Sequence, residues 1–150
     1  MDAMDRKILA ELQQDGRLTL TELAERVRLS MSPCHRRLRA LERSGVISAY
    51  RAHLDPAAVG LGFEALVFVT MATSVRDVLD AFEAAVAQVP SVLQAQRLFG
   101  DPDYLLRVVA HDLRAFQAIY DDDLITLPGV QKLSSTLVMK SVVIDRPLPL

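Results

Sequence analysis

The residues with the most distinctive chemistry are arginines clustered near the start of the chain. The stretch 28–47, RLSMSPCHRRLRALERSGVI, carries five arginines against one acidic residue, Glu42. The planar guanidinium group grips a phosphate, or the O6/N7 edge of guanine, with two hydrogen bonds. Nucleic acid is therefore one candidate partner. The alternative is that these residues form the solvated charged face of an ordinary amphipathic helix.

Charge is distributed unevenly along the chain. Residues 1–53 hold ten Lys and Arg against seven Asp and Glu, whereas residues 54–150 hold seven against twelve. A basic first third and an acidic remainder indicate two modules with different partners. At 150 residues, 51% of them apolar, the chain has enough material for one or two small folded domains.

Several function classes lack the residues that they need. The only cysteine, Cys34, cannot form an intrachain disulfide, and His35, His53 and His111 are too far apart to suggest a zinc site. We find no nucleophile elbow, phosphate loop or paired nucleophile, so we expect no enzyme, no metal and no cofactor. The N-terminus has no signal-peptide core, and no apolar run approaches the ~18–20 residues of a membrane helix. We therefore expect a cytoplasmic protein that does not associate with membranes.

Two helices are predicted before the arginine-rich stretch. Apolar residues at helical spacing predict a helix over residues 3–14, which Gly16 would end in a left-handed cap. Thr19 and Glu22 form a capping box that starts a second, short helix ending near Val27.

The arginines themselves fall on a third helix. Ser32 as N-cap and Pro33 at the first helical position start it, and Gly45 ends it. Two short helices joined by a tight turn predict a helix-turn-helix. The segment that follows, residues 46–55, is expected to be extended and to form a small wing or linker strand.

The third helix has two faces of opposite character. At 100° per residue its apolar face consists of Cys34, Leu38 and Leu41. The opposite face consists of Arg36, Arg39 and Arg43. Few acids lie four residues away to neutralise these arginines, which counts against an ordinary solvated face. Cys34 is interpreted as a small core residue and not as a redox centre.

This geometry assigns roles for DNA contact. The second helix of a helix-turn-helix enters the major groove with its N-terminal residues at the base edges. The base-edge candidates are Ser32, His35, Arg36 and Arg39. The phosphate candidates are Arg28, Arg37 and Arg43.

The second module alternates strands with helices after a Pro- and Gly-containing linker at residues 54–62. Strands are predicted over residues 64–73, 91–99, 104–111 and 130–144, and helices over residues 74–88 and 112–127. This order predicts an α+β ferredoxin-like split βαβ fold with four antiparallel strands and both helices on one face. The strands are apolar on both faces, so the uncovered face should be buried in a two-fold homodimer. Such a dimer would present two recognition helices to a palindromic operator.

Taken together, these stretches resemble the Lrp/AsnC, or feast/famine, transcription regulators. The resemblance covers nearly the whole chain and is carried by DRKILAELQQDGR (5–17), ELAERVRLSMSPCHRRLRALERSGVISAY (22–50), LDP (54–56), GDPDYLLRVVAHDL (100–113), LPGV (127–130) and SSTLVMK (134–140). It implies a winged helix-turn-helix over residues 1–53, the linker, and an ACT-like dimerising module over residues 63–150. It also implies further assembly, often to octamers, and a small effector, usually an amino acid, bound between dimers.

The resemblance also implies where an effector would bind. The family's pocket is lined by the turn between the middle strands, which here contains Gly100, Asp101, Asp103 and Tyr104. Asp101 or Asp103 could receive an α-ammonium group, and backbone N–H groups near Gly100 could receive a carboxylate. A neighbouring chain could supply hydroxyls from Ser134, Ser135 and Thr136. The alternative is simple hairpin chemistry, because Gly, Asp and Pro are the residues that turns prefer.

The sequence therefore predicts a DNA-binding transcription regulator switched by an amino acid or a related metabolite. The alternative is a metabolite-binding regulatory subunit whose first module binds protein. The arginine face of the third helix argues against that alternative.

Overall fold

The chain folds into two compact packing units. The computed structural model describes residues 1–150. The first unit combines Met1–His53 with Val142–Leu150, and the second consists of Leu54–Ser141. This grouping differs from the sequence-based boundaries in two respects. Residues 54–62 pack within the second unit, and residues 142–150 pack with the first.

Three helices form the first unit: α1 (Ala3–Gln14), α2 (Leu20–Val27) and α3 (Met31–Arg43). The predicted capping box at α2 is present. The Thr19 N–H donates to the Glu22 carboxylate at 2.8 Å, and the Glu22 N–H donates to Thr19 Oγ1 at 3.3 Å. The hydrogen bonds from Thr19 lower the pKa of the Glu22 carboxyl. The cap thus fixes where α2 begins after its turn.

The start of α3 lies two residues earlier than predicted. Ser30, not Ser32, is the N-cap residue, and the first backbone bond runs from the Cys34 N–H to the Ser30 oxygen at 3.2 Å. Pro33 still falls within the first turn. Because N–H groups there have no intrahelical acceptor, the proline costs the helix no hydrogen bond.

The segment after α3 does not pair as the wing or linker strand that was expected there. Gly45 ends α3 with a φ of +74°, as predicted, but residues 46–55 form no β-ladder. Ile47 anchors this segment, because its N–H donates to the Leu41 oxygen at 3.2 Å and its side chain packs on the core. The cap of α1 also differs from the prediction: Asp15 ends the helix in an extended conformation, with a φ of −144°, and Gly16 does not enter the left-handed region.

The second unit has the predicted ferredoxin-like topology. After a short 3₁₀ turn at Ala57–Val59, its elements are β1 (Phe63–Met71), α4 (Arg76–Val86), β2 (Val92–Arg97), β3 (Tyr104–Ala110), α5 (Leu113–Ile119), a π-helical turn (Tyr120–Leu124) and β4 (Val130–Leu137). The strand order is β2-β3-β1-β4, and all pairs are antiparallel. The fold class predicted from the sequence is therefore confirmed.

The last strand is shorter than predicted. It ends at Leu137 and not at residue 144. The Val138 N–H makes a final bond to the Glu64 oxygen at 3.0 Å, and β1 begins only one residue earlier, at Phe63. With no partner strand beyond that point, the remaining residues cannot continue the ladder.

The two faces of the sheet have different surroundings. The odd-numbered residues of β1 from Ala65 onward and the even-numbered residues of β3 are buried beneath α4 and α5, together with Leu79, Phe82, Phe116 and Leu124. The outer face carries Leu66, Phe68, Leu105 and Val109. It also carries a bidentate ion pair, in which Arg107 donates to both oxygens of Glu64 at 2.8 Å. No helix in the chain is long and apolar enough to cross a bilayer.

Candidate nucleic-acid interface and effector site

Helix α3 directs its apolar stripe into the core and its arginines to solvent. Cys34 is fully buried, Leu41 is nearly so, and Leu38 packs against the same cluster. Burial raises the pKa of the Cys34 thiol, which keeps it protonated and unreactive. The side chains on the other face, together with Ser32 in the first turn, are exposed: His35, Arg36, Arg39 and Arg43.

Three guanidinium groups on α3 and in the turn before it have no protein partner. Arg36 and Arg43 on α3, and Arg28 in the turn before it, make no ion pair or side-chain hydrogen bond. Arg28 is the C-cap residue of α2 and adopts a left-handed φ of 58°. These three groups can bind an external anion without first breaking an internal contact.

Arg39 has contacts that a ligand could replace. Its Nη1 lies 3.0 Å from Glu42 Oε2, and its Nε donates to His35 Nε2 at 3.4 Å. Glu42 also accepts a hydrogen bond from the Tyr50 hydroxyl at 3.2 Å. Partial burial, followed by the charge of Glu42, raises the pKa of Tyr50. An exposed ion pair of this kind contributes little to stability, so a phosphate or a base can compete for Arg39.

Arg37 is placed differently from the other arginines. Its Nη1 lies 2.7 Å from Asp2 and 2.7 Å from Asp5, and both carboxylates belong to the N-terminal cap of α1. Its hydrogen bonds to Asp5 and Asp2 raise the pKa of the Arg37 guanidinium. Arg37 thus joins α3 to α1, and a DNA phosphate would have to displace two carboxylates to reach it.

The predicted effector residues of the hairpin differ in whether their polar groups already make hydrogen bonds within the chain. Asp103 does, because its Oδ2 accepts the Met71 N–H at 2.7 Å and its own N–H donates to the Val69 oxygen at 2.9 Å. Asp101 is exposed, and Gly100 has a φ of +139°. The backbone near Gly100 and the Asp101 carboxylate therefore remain accessible, whereas Asp103 ties the hairpin to β1.

Tyr104 belongs to the core of the second unit. It is 2% exposed, and its ring lies 4.5 Å from that of Phe82, measured between centroids. Its hydroxyl donates to Glu83 Oε1 at 2.7 Å. Burial, with a further contribution from Glu83, raises the pKa of Tyr104 to about 12. The tyrosine therefore supports the sheet beneath α4 and is not accessible to a ligand at the hairpin.

The three hydroxyl residues of β4 lie on opposite faces of the sheet. Ser134 pairs with Phe68 and Thr136 with Leu66, which places both on the outer face. Ser135 pairs with Val67 on the helix side, where it lines a cleft of about 390 Å³ with Phe116 and Tyr120. A single ligand in one chain cannot contact all three hydroxyls, because neighbouring residues of a strand point to opposite faces.

Several contacts near these sites could not be predicted from the sequence. The Glu64–Arg107 pair depends on the register of β1 against β3. The contact between Tyr50 and Glu42 depends on how the irregular segment after α3 returns to that helix. Only the Asp2–Asp5 box carried a local signal, because an acid three residues after an acidic N-cap is a capping pattern.

Family models match both units of the chain. Residues 64–148 match the Lrp/AsnC ligand binding domain. Residues 1–48 match a winged helix-turn-helix DNA-binding model.

Named relatives match along nearly their whole length. The Bkd operon transcriptional regulator of Pseudomonas aeruginosa is 38% identical over 150 residues, which cover 100% of this chain and 98% of that protein. The leucine-responsive regulatory protein of Rhizobium meliloti is 42% identical over 142 residues, covering 95% of this chain and 91% of that protein. A transcriptional regulator from Neisseria meningitidis, solved as a complex with L-Met, superposes with a TM-score of 0.94 at 42% identity, covering 99% of this chain and 96% of that one.

Proposed function

This chain belongs to the Lrp/AsnC family of transcription regulators, and on that premise we propose that α3 reads operator DNA under the control of an amino acid bound by the second unit. The observation that carries the DNA-binding half is the exposed arginine face of α3. Arg36 and Arg43 are unpaired there, and Arg39 is held only by exposed contacts. Such a face, on the second helix of a helix-turn-helix, suits the major groove.

A salt titration tests DNA binding directly. A gel shift against mixed genomic DNA should show binding whose affinity falls steeply with salt, because each neutralised phosphate releases counterions. Neutralising about six phosphates would reduce affinity by roughly 10³-fold between 50 and 200 mM salt. Failure to bind DNA at low salt, or a DNA affinity that does not change with salt concentration, would overturn this half of the proposal.

The second unit supplies a surface for dimer formation. The outer sheet face carries Leu66, Phe68, Leu105 and Val109 beside the Glu64–Arg107 pair and the hydroxyls of Ser134 and Thr136. Burying its apolar residues against a second copy would remove them from water. We propose that the dimer presents two α3 helices to a palindromic operator, and that dimers assemble further, up to an octamer. A cytoplasmic location follows from the DNA partner.

The effector half of the proposal rests on the relative complexed with L-Met and on the accessible hairpin. Asp101 and the backbone at Gly100 provide an acceptor for an α-ammonium group and donors for a carboxylate. The hydroxyls of Ser134 and Thr136 would come from a neighbouring chain. Asp103 contributes by holding the hairpin to β1.

A thermal-shift screen of the twenty amino acids tests the effector. A ligand that binds only the folded state stabilises it by about 2.7 kcal/mol at one hundred times its Kd. L-Met and amino acids with related side chains should raise Tm, and Asp101→Ala should abolish the shift. A screen in which no amino acid changes Tm would refute amino-acid control and leave the DNA-binding half standing.

A further inference from the structure

The C-terminal residues pack on the DNA-binding unit through a matched pair of hydrogen bonds. The Leu148 N–H donates to Gln13 Oε1 at 2.7 Å, and Gln13 Nε2 donates to the Leu148 oxygen at 3.3 Å. Leu148 lies between Pro147 and Pro149, neither of which has an N–H group. The proline that follows also favours an extended backbone at Leu148. This segment therefore presents one donor and one acceptor together, which is what a primary amide side chain complements.

A second contact lies upstream in the same segment, and apolar contacts lie around it. His53 Nε2 pairs with Asp145 Oδ2. Leu148 and Leu150 line a groove of about 870 Å³ with Leu9, Leu12, Ile47 and Tyr50. The C-terminal residues form one wall of this groove, and the C-terminal end of α1 and the irregular segment that follows α3 form the others.

We propose that residues 142–150 form a strap that docks in this groove and favours the DNA-binding arrangement of the first unit. The support for this proposal comes from the segment that the strap contacts. Residues 46–53 follow the recognition helix directly and have no β-ladder of their own, so their order depends on what packs against them. The docked strap contacts His53 and shares the groove with Tyr50, whose hydroxyl donates to Glu42 on α3.

The strap is also continuous with the strand that carries the hydroxyl residues assigned to the effector. Only residues 138–141 separate it from β4. The hydroxyl residues of β4 and the strap are therefore joined by a short stretch of one chain. The proposed role of the strap rests on the function proposed above. It adds a route that connects the effector to the DNA-binding unit.

The strap is held weakly, as a reversible device requires. Leu148 is 69% exposed and Ile144 is 58% exposed although the segment is docked. Few buried apolar contacts and solvent-accessible hydrogen bonds characterise the elements that open most easily.

Hydrogen exchange measured on the full chain tests the docking. The Leu148 amide should be more strongly protected than the Val143 amide of the same segment, which makes no hydrogen bond. Gln13→Ala should lower Leu148 protection by about threefold to tenfold, the effect of losing one or two exposed hydrogen bonds. Gln88→Ala, the same substitution at an exposed glutamine of the second unit, should leave it unchanged.

The link to DNA binding is tested without any effector, because coupling must be reciprocal. Operator DNA should slow exchange at Leu148, and Gln13→Ala should weaken operator binding. A chain ending at Ser141, which lacks the strap, should bind operator DNA at least as weakly as Gln13→Ala does. Gln88→Ala should bind as the unaltered protein does.

Each result has one consequence. Leu148 protection no greater than that of Val143 would overturn the strap itself. Protection at Leu148 combined with unchanged DNA affinity in both strap variants would overturn its regulatory role. An unaltered protein that binds no DNA would instead refute the proposed function, and the exchange data would still decide whether the strap docks.

Discussion

The arginines of α3 differ in what each guanidinium contacts. Arg36 and Arg43 contact only solvent, Arg39 shares a carboxylate, and Arg37 is held by two carboxylates of α1. At 100° per residue Arg37 falls outside the face formed by Arg36, Arg39 and Arg43, but that angle does not reveal its partners. Asp2 and Asp5 lie more than thirty residues away in sequence, so only the packing of α1 against α3 brings them together.

Arg37 therefore has a structural role that its neighbours lack. Arg37→Ala removes both ion pairs and leaves Asp2 and Asp5 facing each other, so it should lower the urea midpoint of the first unit. Arg43→Ala removes the same charge without breaking a contact and should leave that midpoint unchanged. Urea unfolding followed by circular dichroism measures both. Equal midpoints for the two variants would mean that the Arg37 ion pairs contribute nothing to folding.

The Glu64–Arg107 pair should make the second unit sensitive to acid. The hydrogen bonds from Arg107 lower the pKa of the Glu64 carboxyl below its ordinary value of 4.5. The resulting stabilisation is complete above the pKa of the unfolded chain and is lost as pH falls through the pKa of the folded one. The urea midpoint of the unaltered chain should thus fall between about pH 5 and pH 3. The midpoint of Glu64→Gln should fall by less over the same range.

A matched control is available for this acid sensitivity. Asp80→Asn alters an exposed acid that lies 3.8 Å from Arg76 in a loose pair on α4. Its acid-induced loss of stability should equal that of the unaltered chain, because an exposed pair contributes little. A smaller acid-induced loss of stability in Asp80→Asn but not in Glu64→Gln would contradict the assignment of acid sensitivity to the Glu64–Arg107 pair.

At the scale of elements, local patterns predicted most of the fold. Capping residues and helical spacing located α1, α2 and α3, and alternating strands and helices predicted the topology of the second unit. The missed features depend on nonlocal pairing. The strand β4 ends at the position where its partner β1 begins, because no residues remain there to pair with it. Residues 46–55 form no ladder, because no strand pairs with them. The placement of residues 142–150 depends on Gln13, which no local pattern connects to the C-terminus.

The turn before β4 depends on a glycine for two separate reasons. Gly129 has a φ of +70°, and a Cβ built there would lie 2.2 Å from Val78 Cγ1 on α4. Gly129→Ala should therefore combine a backbone cost of about 1–2 kcal/mol with an overpacking cost of about 1–3 kcal/mol. Hydrogen exchange of the Val67 and Leu106 core amides reports the resulting loss of stability.

Gly45 provides a control for this substitution. Its φ of +74° is nearly the same, but nothing lies within 4 Å of a Cβ at that position. Gly45→Ala should cost the first unit only the backbone term, about 1–2 kcal/mol, measured at the Leu41 amide. Equal losses for the two substitutions would contradict a steric contact between residue 129 and α4.

At the scale of the whole molecule, we expect the outer face of the sheet to form the dimer interface. Phe68 lies at its centre, between Leu105 on β3 and Ser134 on β4. Phe68→Glu would bury a carboxylate in the dimer, and it should raise the dimer dissociation constant by at least about 100-fold. Analytical ultracentrifugation would detect the monomer.

The control for dimer disruption adds the same charge elsewhere. Val75 is an exposed apolar residue at the start of α4, away from the outer sheet face. Val75→Glu should sediment as the unaltered protein does. A Phe68→Glu protein that remains dimeric would show that the subunits associate through another surface.

The central claim is that α3 reads DNA through its exposed arginines. Fluorescence anisotropy with a labelled operator, selected from genomic DNA, measures it most directly. Arg36→Ala and Arg39→Ala should each cost about 1–3 kcal/mol of binding free energy and relax discrimination among operator bases. Arg76→Ala, which removes one exposed charge from α4, should bind and discriminate as the unaltered protein does. If Arg36→Ala and Arg39→Ala also bound like the unaltered protein, α3 would not be the recognition helix.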